Sequence, residues 1–343
     1  MSRHDTAAIW VAFFQGGSDI AVDRSAEEFD ALAARTGAVL HLAAKVDLNA
    51  GFDAHCAANV DGVVEVLRLA FRARARLIFA STTDVLPSGW GDDEPAPSSL
   101  PTLSEKDGCK IAMLSRFVVL PVSLTRKHHY FIADALSKLV GERLVETAVD
   151  RGLAANIVRL GFIGGSSETG ACNPKDFVCR LLIGLCHTRA FPEPSGPDAQ
   201  TLTRFLPVDV AARALSALVS LDGHDDPSAS GVVHLTSGGP ELPLSELHTI
   251  LQRFGAPFSP LPLVPFPQWM ERAELDGALS VWPVLSWAKG RPHFPAFNTR
   301  SARPRRALEL LDLAGDSALC AELSPGGAEQ ERVIHAMLRH LFE

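Results

Sequence analysis

Two groups of side chains in this sequence have types and spacing that could do chemistry on a carbonyl compound. The first is Asp134 and Lys138, four residues apart in a segment of helical period, with Tyr130, the single tyrosine, four residues earlier. These three side chains would share one face of a helix. A cation, a carboxyl group and a phenol on one face could move protons and stabilise an oxyanion.

The second group is a run of hydroxyls, Ser81-Thr82-Thr83, directly after the apolar run Leu77 to Ala80. The apolar run predicts a buried strand. A hydroxyl at its carboxyl end could donate to a substrate carbonyl or to a developing oxyanion. Serine and threonine are also typical of helix N-caps and turns, so the residues alone leave both interpretations open.

A glycine pair, Gly164-Gly165, follows a second predicted strand, Ala155 to Leu160. Glycine has no Cβ, so the backbone can approach a ligand closely. Ligands in open α/β sheets bind at the carboxyl ends of the strands. The two strand ends therefore predict a ligand pocket at this edge of the sheet.

No metal site is predicted from the cysteines or histidines. Cys172, Cys179 and Cys186 recur every seven residues and no Cys-x-x-Cys pair occurs, which favours buried apolar roles without disulfides. The histidines show no ligand spacing and are interpreted as structural or surface residues, with the pair before the Asp134 helix the best site candidate. The histidines considered are His41, His55, His128, His129 and His187.

The elements that must position these groups alternate between apolar runs and segments of helical period. This alternation predicts an α/β fold with a doubly wound parallel sheet. A capping box, Ser25 to Glu28, opens the first helix. Prolines crowd the chain after Gly255 and predict irregular loops. The predicted strands are 8–14, 38–43, 77–80, 155–160 and 232–235, and the predicted helices are 26–34, 57–74, 130–151, 176–187, 211–221 and 244–254.

Composition excludes several classes of protein. With 47% apolar and 21% charged residues, the chain can bury a large core. No apolar run approaches the roughly 20 residues of a membrane span, and Met1 to Thr6 does not resemble a signal peptide, which predicts a cytoplasmic protein without a membrane partner. A net charge of −8 with scattered basic residues makes nucleic acid an unlikely partner.

Several stretches resemble thioester reductases of the extended short-chain dehydrogenase family, which release products from polyketide and peptide synthetases. The resemblance runs from about Val39 to Leu235. It implies a Rossmann-like domain over residues 1–234 and a small, mostly helical substrate cap over 235–343. It also implies Thr82 as the site hydroxyl and His41, Ala43, Asn59 and Gly164 at cofactor-binding positions. The matching stretches are His41-Leu42-Ala43-Ala44, Asn59-Val60-Asp61-Gly62, Leu77 to Val85, and Arg159 to Gly170 followed by Asn173 and Asp176.

The chain departs from the family at the acid catalyst. Lys138 matches the lysine of the family's Tyr-x-x-x-Lys pair, but Asp134 occupies the tyrosine position. A lysine one helical turn away should lower the pKa of Asp134, leaving it ionised at pH 7 and unable to donate a proton. Tyr130 could replace the acid only if the substrate moved about 6 Å along the helix, which favours a packing role.

A second departure concerns the cofactor. The family begins with a strand, a Gly-x-x-Gly-x-x-Gly turn and a helix that hold the dinucleotide pyrophosphate. Gly16-Gly17 does not match this turn and looks like the family's later Gly-Asp-Leu turn. The sequence therefore predicts a truncated sheet and no bound cofactor. The edge of strand 38–43 would be covered by residues 8–14, by a second copy in a homodimer, or by a partner chain.

Three functions follow from these features. The first is a secondary-metabolism enzyme that acts on an acyl thioester or related carbonyl compound without hydride transfer. Release domains that resemble this chain and have lost the tyrosine perform Dieckmann cyclisation. The second is an NADPH-dependent thioester reductase completed by a missing N-terminal half. The third is a non-catalytic remnant that binds a ligand. The substrate would be a small molecule or an acyl group on a carrier protein.

Overall fold

The structure is a computed structural model, and its description covers nine stretches of the chain. The described residues divide into two compact units. The first contains the described residues up to Val85, 132–159 and 218–233. The second contains 160–217 and the described residues from His234 onward. The described residues are 25–47, 49–85, 132–195, 201–221, 230–239, 242–276, 281–294, 305–324 and 330–343.

The first unit contains a four-stranded sheet in the order β1-β2-β3-β8. Among the described strands, β1 is the first in this order, and it pairs in parallel with β2, placing His41 opposite Phe79. The elements are α1 (Ala26–Ala33), β1 (Ala38–His41), α2 (Asp53–Cys56), a π-helical turn (Ala57–Asp61), α3 (Gly62–Ala73), β2 (Arg76–Thr82), α4 (Ile132–Asp150), β3 (Ala155–Leu160) and β8 (Gly231–Leu235).

The core of this unit is made by α3 and α4 packed on β2 and β3. Leu77 and Phe79 of β2 are fully buried among apolar residues of both helices, including Val63 and Val145. Strand β2 is buried along all but its last residue, as expected for an inner strand covered on both faces. This packing fixes the end of β2 and the middle of α4, which carry the candidate site. The predicted α/β fold with a parallel sheet is confirmed.

The second unit is mostly helical, with three short strand pairs. These are β4 with β7, β5 with β10, and β6 with β9. The elements are β4 (Phe162–Gly164), α5 (Phe177–Thr188), β5 (Phe191–Pro192), β6 (Thr201–Thr203), β7 (Phe205–Pro207), α6 (Val208–Ser220, shared with the first unit), β9 (Leu242–Pro243), α7 (Leu244–Phe254), β10 (Leu263–Val264), α8 (Phe266–Asp276), α9 (Trp282–Leu285), α10 (Arg305–Leu313), α11 (Ser317–Leu323) and α12 (Gln330–Phe342).

Two local predictions need correction. The helix predicted over 57–74 contains the π-helical turn Ala57–Asp61, which periodicity alone does not reveal. The proline-rich region after Gly255 is not irregular throughout, because α8 forms within it. Pro267 lies in the first turn of α8, where a helix leaves backbone N–H groups unpaired and proline costs little. The capping box at Ser25 and Glu28 is confirmed.

The cysteines contradict the expectation that the chain has no disulfide. Cys172 and Cys179 are joined by a disulfide in the second unit. The chain turns between them, where the Asp176 N–H donates to Asn173 O at 2.9 Å and Asp176 caps α5. This turn folds the preceding loop back on the first turn of the helix, so a seven-residue separation brings the two sulfurs together. Spacing alone could not show this turn.

Among the described residues, no helix has the length and apolarity required to cross a membrane.

Candidate active site

Lys138 lies in the interior of the first unit, on α4. Its side chain is 7% exposed, and Nζ donates to Ala80 O at 2.8 Å and lies 5.2 Å from the centre of the Phe79 ring. Burial lowers the pKa of Lys138 to about 8, and the carboxyls of Asp134 and Glu142 oppose this shift. The ammonium is therefore not part of an exposed ion pair on the helix surface. The ammonium is anchored at the carboxyl end of β2.

Asp134 lies one helical turn before Lys138, and its side chain is 17% exposed. Burial raises the pKa of Asp134; His55 and Lys138 lower it by less, and Asp47 raises it. The sequence predicted the opposite direction from Lys138 alone. That expectation is wrong because desolvation of the carboxylate outweighs the effects of Lys138 and His55. A carboxyl with a raised pKa is better suited to exchanging protons near neutral pH.

Thr82 ends β2, two residues beyond the carbonyl that Lys138 binds. Its Oγ1 accepts a hydrogen bond from the Asp84 N–H at 3.1 Å. Burial raises the pKa of the Asp84 carboxyl to about 7, Thr82 lowers it and Asp134 raises it. The hydroxyl, both carboxyls and the ammonium therefore interact around the end of one strand.

Asp84→Asn is expected to stabilise the protein at pH 8 and to have little effect at pH 4. Between the unfolded value of 3.8 and about 7, the folded chain binds more protons, so this carboxyl reduces stability as pH rises. The full rise in the pKa of Asp84 corresponds to about 4 kcal/mol in the free energy of unfolding. Partial solvent contact of the carboxyl reduces this effect to roughly 1–2 kcal/mol. Urea denaturation across this pH range measures the difference. An equal difference in the free energy of unfolding between the two proteins at both pH values would contradict the raised pKa of Asp84.

Asn59 joins the segment after β1 to the site helix. Its Oδ1 accepts from the Lys45 N–H at 2.7 Å, and its Nδ2 donates to Lys45 O at 3.0 Å and to Ser137 Oγ at 2.8 Å. Ser137 in turn donates to Asp134 O at 2.6 Å. Both amide hydrogens of Asn59 are used in these contacts. The π-helical turn places this side chain, and π turns recur at functional sites.

The other family-equivalent positions after β1 are His41 and Ala43. His41 is buried at the end of β1 and stacks on Phe79 with ring centres 5.7 Å apart. Burial, reinforced by Lys138, lowers the pKa of His41 to about 4, so the ring is neutral at pH 7. Ala43 is partly exposed and has no polar side chain. Both residues belong to the unit that holds Lys138.

A buried network of hydrogen bonds and one ion pair stabilises the elements that carry the site. Ser81 Oγ donates to Glu142 Oε1 at 2.5 Å, and the Arg159 guanidinium donates to both carboxylate oxygens, at 3.0 and 2.7 Å. Glu142 and Arg159 are 0% and 4% exposed. This network ties the end of β2 to α4 and β3. Apart from the position of Glu142 one turn after Lys138, no sequence pattern indicated this network.

Gly164 belongs to the second unit. It begins the glycine loop, Gly164 to Gly170, which packs against other residues of that unit. A Cβ on Gly164 would lie 3.2 Å from Phe205 Cβ and 3.3 Å from Val333 Cγ1. Gly170 has φ +71°, and a Cβ there would overlap Ala336 O at 1.9 Å. Gly164 and Gly170 allow this loop to approach α12 and β7 closely, which accounts for both glycines without a ligand. Tyr130, His128 and His129 lie outside the described residues.

Sequence reasoning missed His55, Asp47 and Asp84. His55 was interpreted as structural, yet it faces Asp134 in the structure. The predicted helix began at Ala57, so the sequence did not place His55 on a helix with Asn59. Asp84 follows Thr82 at a strand end, which also marked it as a candidate. Within the described stretches, no group of three or more histidine, cysteine or acidic side chains could hold a metal ion.

The comparisons with known proteins bear on this geometry. A family model described as male sterility protein, a type of NAD-binding domain, matches residues 19–215. The chain belongs to this family. The terminal reductase domain of the myxalamid polyketide–peptide synthetase pathway is 26% identical, with a TM-score of 0.66 over 93% of this chain and 71% of that one. A reductase domain of a peptide synthetase from Mycobacterium tuberculosis is 22% identical, with a TM-score of 0.62. The predicted resemblance to thioester reductase domains is confirmed.

Curated relatives of this member of the male sterility family are much longer proteins. The aldehyde reductase lnbA of Aspergillus flavus is 24% identical over 77% of this chain and 24% of its own length. The isonitrile lipopeptide synthase of Streptomyces coeruleorubidus is 31% identical over 75% of this chain and 15% of its own length. The chain thus spans a quarter or less of these relatives. It is a thioester-reductase-like domain of the type found in secondary-metabolism synthetases.

The family's name implies a nicotinamide dinucleotide, and the described residues fit it only in part. Lys138 and Asn59 occupy family positions, but both Asn59 amide hydrogens are used within the protein. The described elements before β1 consist of α1, and they include no strand followed by a glycine turn that could hold a pyrophosphate. These residues alone do not make a dinucleotide site, so no step is derived through one.

Proposed function

We propose that this domain acts on an acyl thioester or related carbonyl compound without hydride transfer, for example in a Dieckmann-type cyclisation. The observation that carries the proposal is Asp134. A largely buried carboxyl with a raised pKa replaces the phenol at the tyrosine position and lies beside a retained lysine. Such a carboxyl can take a proton from a carbon acid and later return it, which cyclisation requires.

The reaction can be balanced with the residues of this site. The Asp134 carboxylate takes a proton from the carbon acid of the substrate, and the C–H electron pair remains as an enolate. The enolate carbon attacks the thioester carbonyl, forming a carbon–carbon bond and an oxyanion. Thr82 and Lys138 stabilise the oxyanion by hydrogen bonding and charge. Collapse breaks the carbon–sulfur bond, and the thiolate receives the proton from Asp134. No oxidant or reductant is consumed.

The substrate class follows from the relatives and the site together. Relatives named as peptide synthetases, such as FrzA of Cladobotryum sp, support an acyl group held as a thioester on a carrier protein. We propose that residues 235–343 form the cap that selects this substrate, as the sequence predicted. It stays a prediction that a second copy or a partner chain covers the edge of β1. The cytoplasmic location also stays a prediction.

Product analysis with and without NADPH tests the proposal. Incubation with a β-ketoacyl-aminoacyl thioester should release a cyclised product and free thiol, at a rate independent of NADPH. Asp134→Tyr should abolish this product, because the carboxyl that exchanges the proton is gone. It should not form aldehyde with NADPH, since an acid cannot act without a positioned hydride donor. Mass spectrometry distinguishes the two products.

Three results would count against the proposal. Aldehyde or alcohol formed by the native chain only with NADPH would establish the reductase instead, which the names of the relatives also support. Binding of NADPH with a dissociation constant in the low micromolar range would show that the cofactor site is complete. Absence of any turnover, with tight binding of the thioester, would leave a non-catalytic binding domain.

A further inference from the structure

His55 is a fully buried histidine on α2 whose ring orientation is fixed by the backbone. Its Nδ1 lies 3.0 Å from Gly51 O, and a carbonyl oxygen only accepts hydrogen bonds, so Nδ1 carries the hydrogen. Nε2 therefore faces the site. It lies 3.9 Å from Asp134 Oδ1.

Both of these facing atoms are buried, and neither has a hydrogen-bond partner among the described residues. Buried polar atoms in folded proteins nearly always have one. If both atoms carried only lone pairs, they would repel each other. A single proton between them removes the repulsion, and their separation is only about 1 Å longer than an N–H···O hydrogen bond.

The charges around the pair favour retention of that proton. Lys138 faces Asp134 from the same helix, Asp47 faces it from the segment after β1, and Asp84 interacts with it from the turn after β2. Three carboxyls thus surround one ammonium and one imidazole. Binding one proton reduces the excess of negative charge.

We propose that His55 and Asp134 hold one proton between them and that His55 is the positioning residue that controls when Asp134 carries it. The pair occupies the place of the phenol in the family's Tyr-x-x-x-Lys arrangement. In the resting state the proton lies on Asp134 with His55 neutral, or on His55 with Asp134 ionised. The imidazolium–carboxylate form supplies the base that deprotonates the substrate. The use of this proton in catalysis rests on the proposed function, whereas the shared proton rests on the geometry alone.

Nuclear magnetic resonance of the full chain, without substrate, tests the pair directly. The carboxyl carbon of Asp134 is assigned by its loss in Asp134→Asn and titrated in the native chain and in His55→Gln. We expect the Asp134 midpoint to move to higher pH in His55→Gln, because His55 lowers the pKa of that carboxyl. Reciprocally, the Nε2 chemical shift of His55 should change in Asp134→Asn, since the carboxyl that shares the proton is lost.

An unmoved Asp134 midpoint in His55→Gln, or an unmoved His55 Nε2 signal in Asp134→Asn, would overturn the inference. If His55→Gln does not fold, the Nε2 signal in Asp134→Asn decides alone. His248→Gln is the matched control, because its Nε2 is bonded to Leu261 O at 2.7 Å and it belongs to the second unit. A shift in that control equal to the shift in His55→Gln would also overturn it. Failure of the thioester assay with the shared proton present would reject only the proposed function.

Discussion

Thr82→Ala and Lys138→Met are each expected to lower the turnover of an acyl thioester about a hundredfold, the usual loss when one oxyanion donor is removed. Lys138 supplies a charge at the end of β2, and Thr82 supplies a hydroxyl two residues after the carbonyl that Lys138 binds. The KM should change little, because these contacts form mainly in the transition state. Steady-state kinetics measures both constants.

Turnover by the native chain should also fall as pH rises through about 8. Burial lowers the pKa of Lys138 to about 8, so its ammonium is protonated below this pH and lost above it. Thr249→Ala and Lys289→Met are matched controls on exposed positions of the second unit and should retain full turnover. Retained turnover in Thr82→Ala and Lys138→Met would contradict the oxyanion role, provided that both variants stay folded.

Glu142→Ala should lower the free energy of unfolding by about 3–5 kcal/mol, the largest stability effect we expect in the first unit. The carboxylate accepts from both Ser81 and Arg159 in the interior. Its removal leaves a buried guanidinium without this counter-ion. Urea denaturation monitored by circular dichroism measures the loss.

Replacing both partners should restore much of that stability. The variant Glu142→Leu with Arg159→Met removes the charges together, and such pairs are often replaced by apolar side chains without loss. Glu65→Ala breaks an exposed pair with Arg68 and should cost less than about 1 kcal/mol. A loss in Glu142→Ala no larger than in Glu65→Ala would show that the network contributes little.

Together these variants separate the two roles of residues around β2. Thr82, Asp134 and Lys138 meet the reacting atoms in the proposed reaction, so their loss should affect rate. Glu142 and Arg159 fix the strand end on which they depend, so their loss should affect stability first. The distinction follows from burial, because a fully desolvated charge pair has no solvent to replace a lost partner.

Periodicity and local chemistry predicted much of the secondary structure. Strand Ala155–Leu160 and helix Leu244–Phe254 agree in their bounds, and the capping box at Ser25 is present. These features depend on side chains within a few residues of each other, which a sequence displays directly. Motif spacing likewise predicted the family, since the stretches His41 to Ala44, Asn59 to Gly62, Leu77 to Val85 and Arg159 to Gly170 match its pattern in order.

The electrostatics of the site could not be predicted in this way. Sequence reasoning considered only Lys138 one turn away and assigned Asp134 a lowered pKa. In the folded chain, burial by residues distant in sequence dominates and raises it. His55 lies 79 positions before Asp134, and no local pattern joins them. The Cys172–Cys179 disulfide was missed for a similar reason, because it depends on a turn.

The sequence by itself determined which side chains are present: an aspartate instead of a tyrosine, a retained lysine, and a hydroxyl at the end of an apolar strand. Only the tertiary structure decided their protonation and partners. It buries Lys138 against Ala80 O, brings His55 to Asp134, and packs the glycine loop on α12. The physical reason is that desolvation and pairing energies depend on three-dimensional surroundings, which are assembled from segments far apart in the chain.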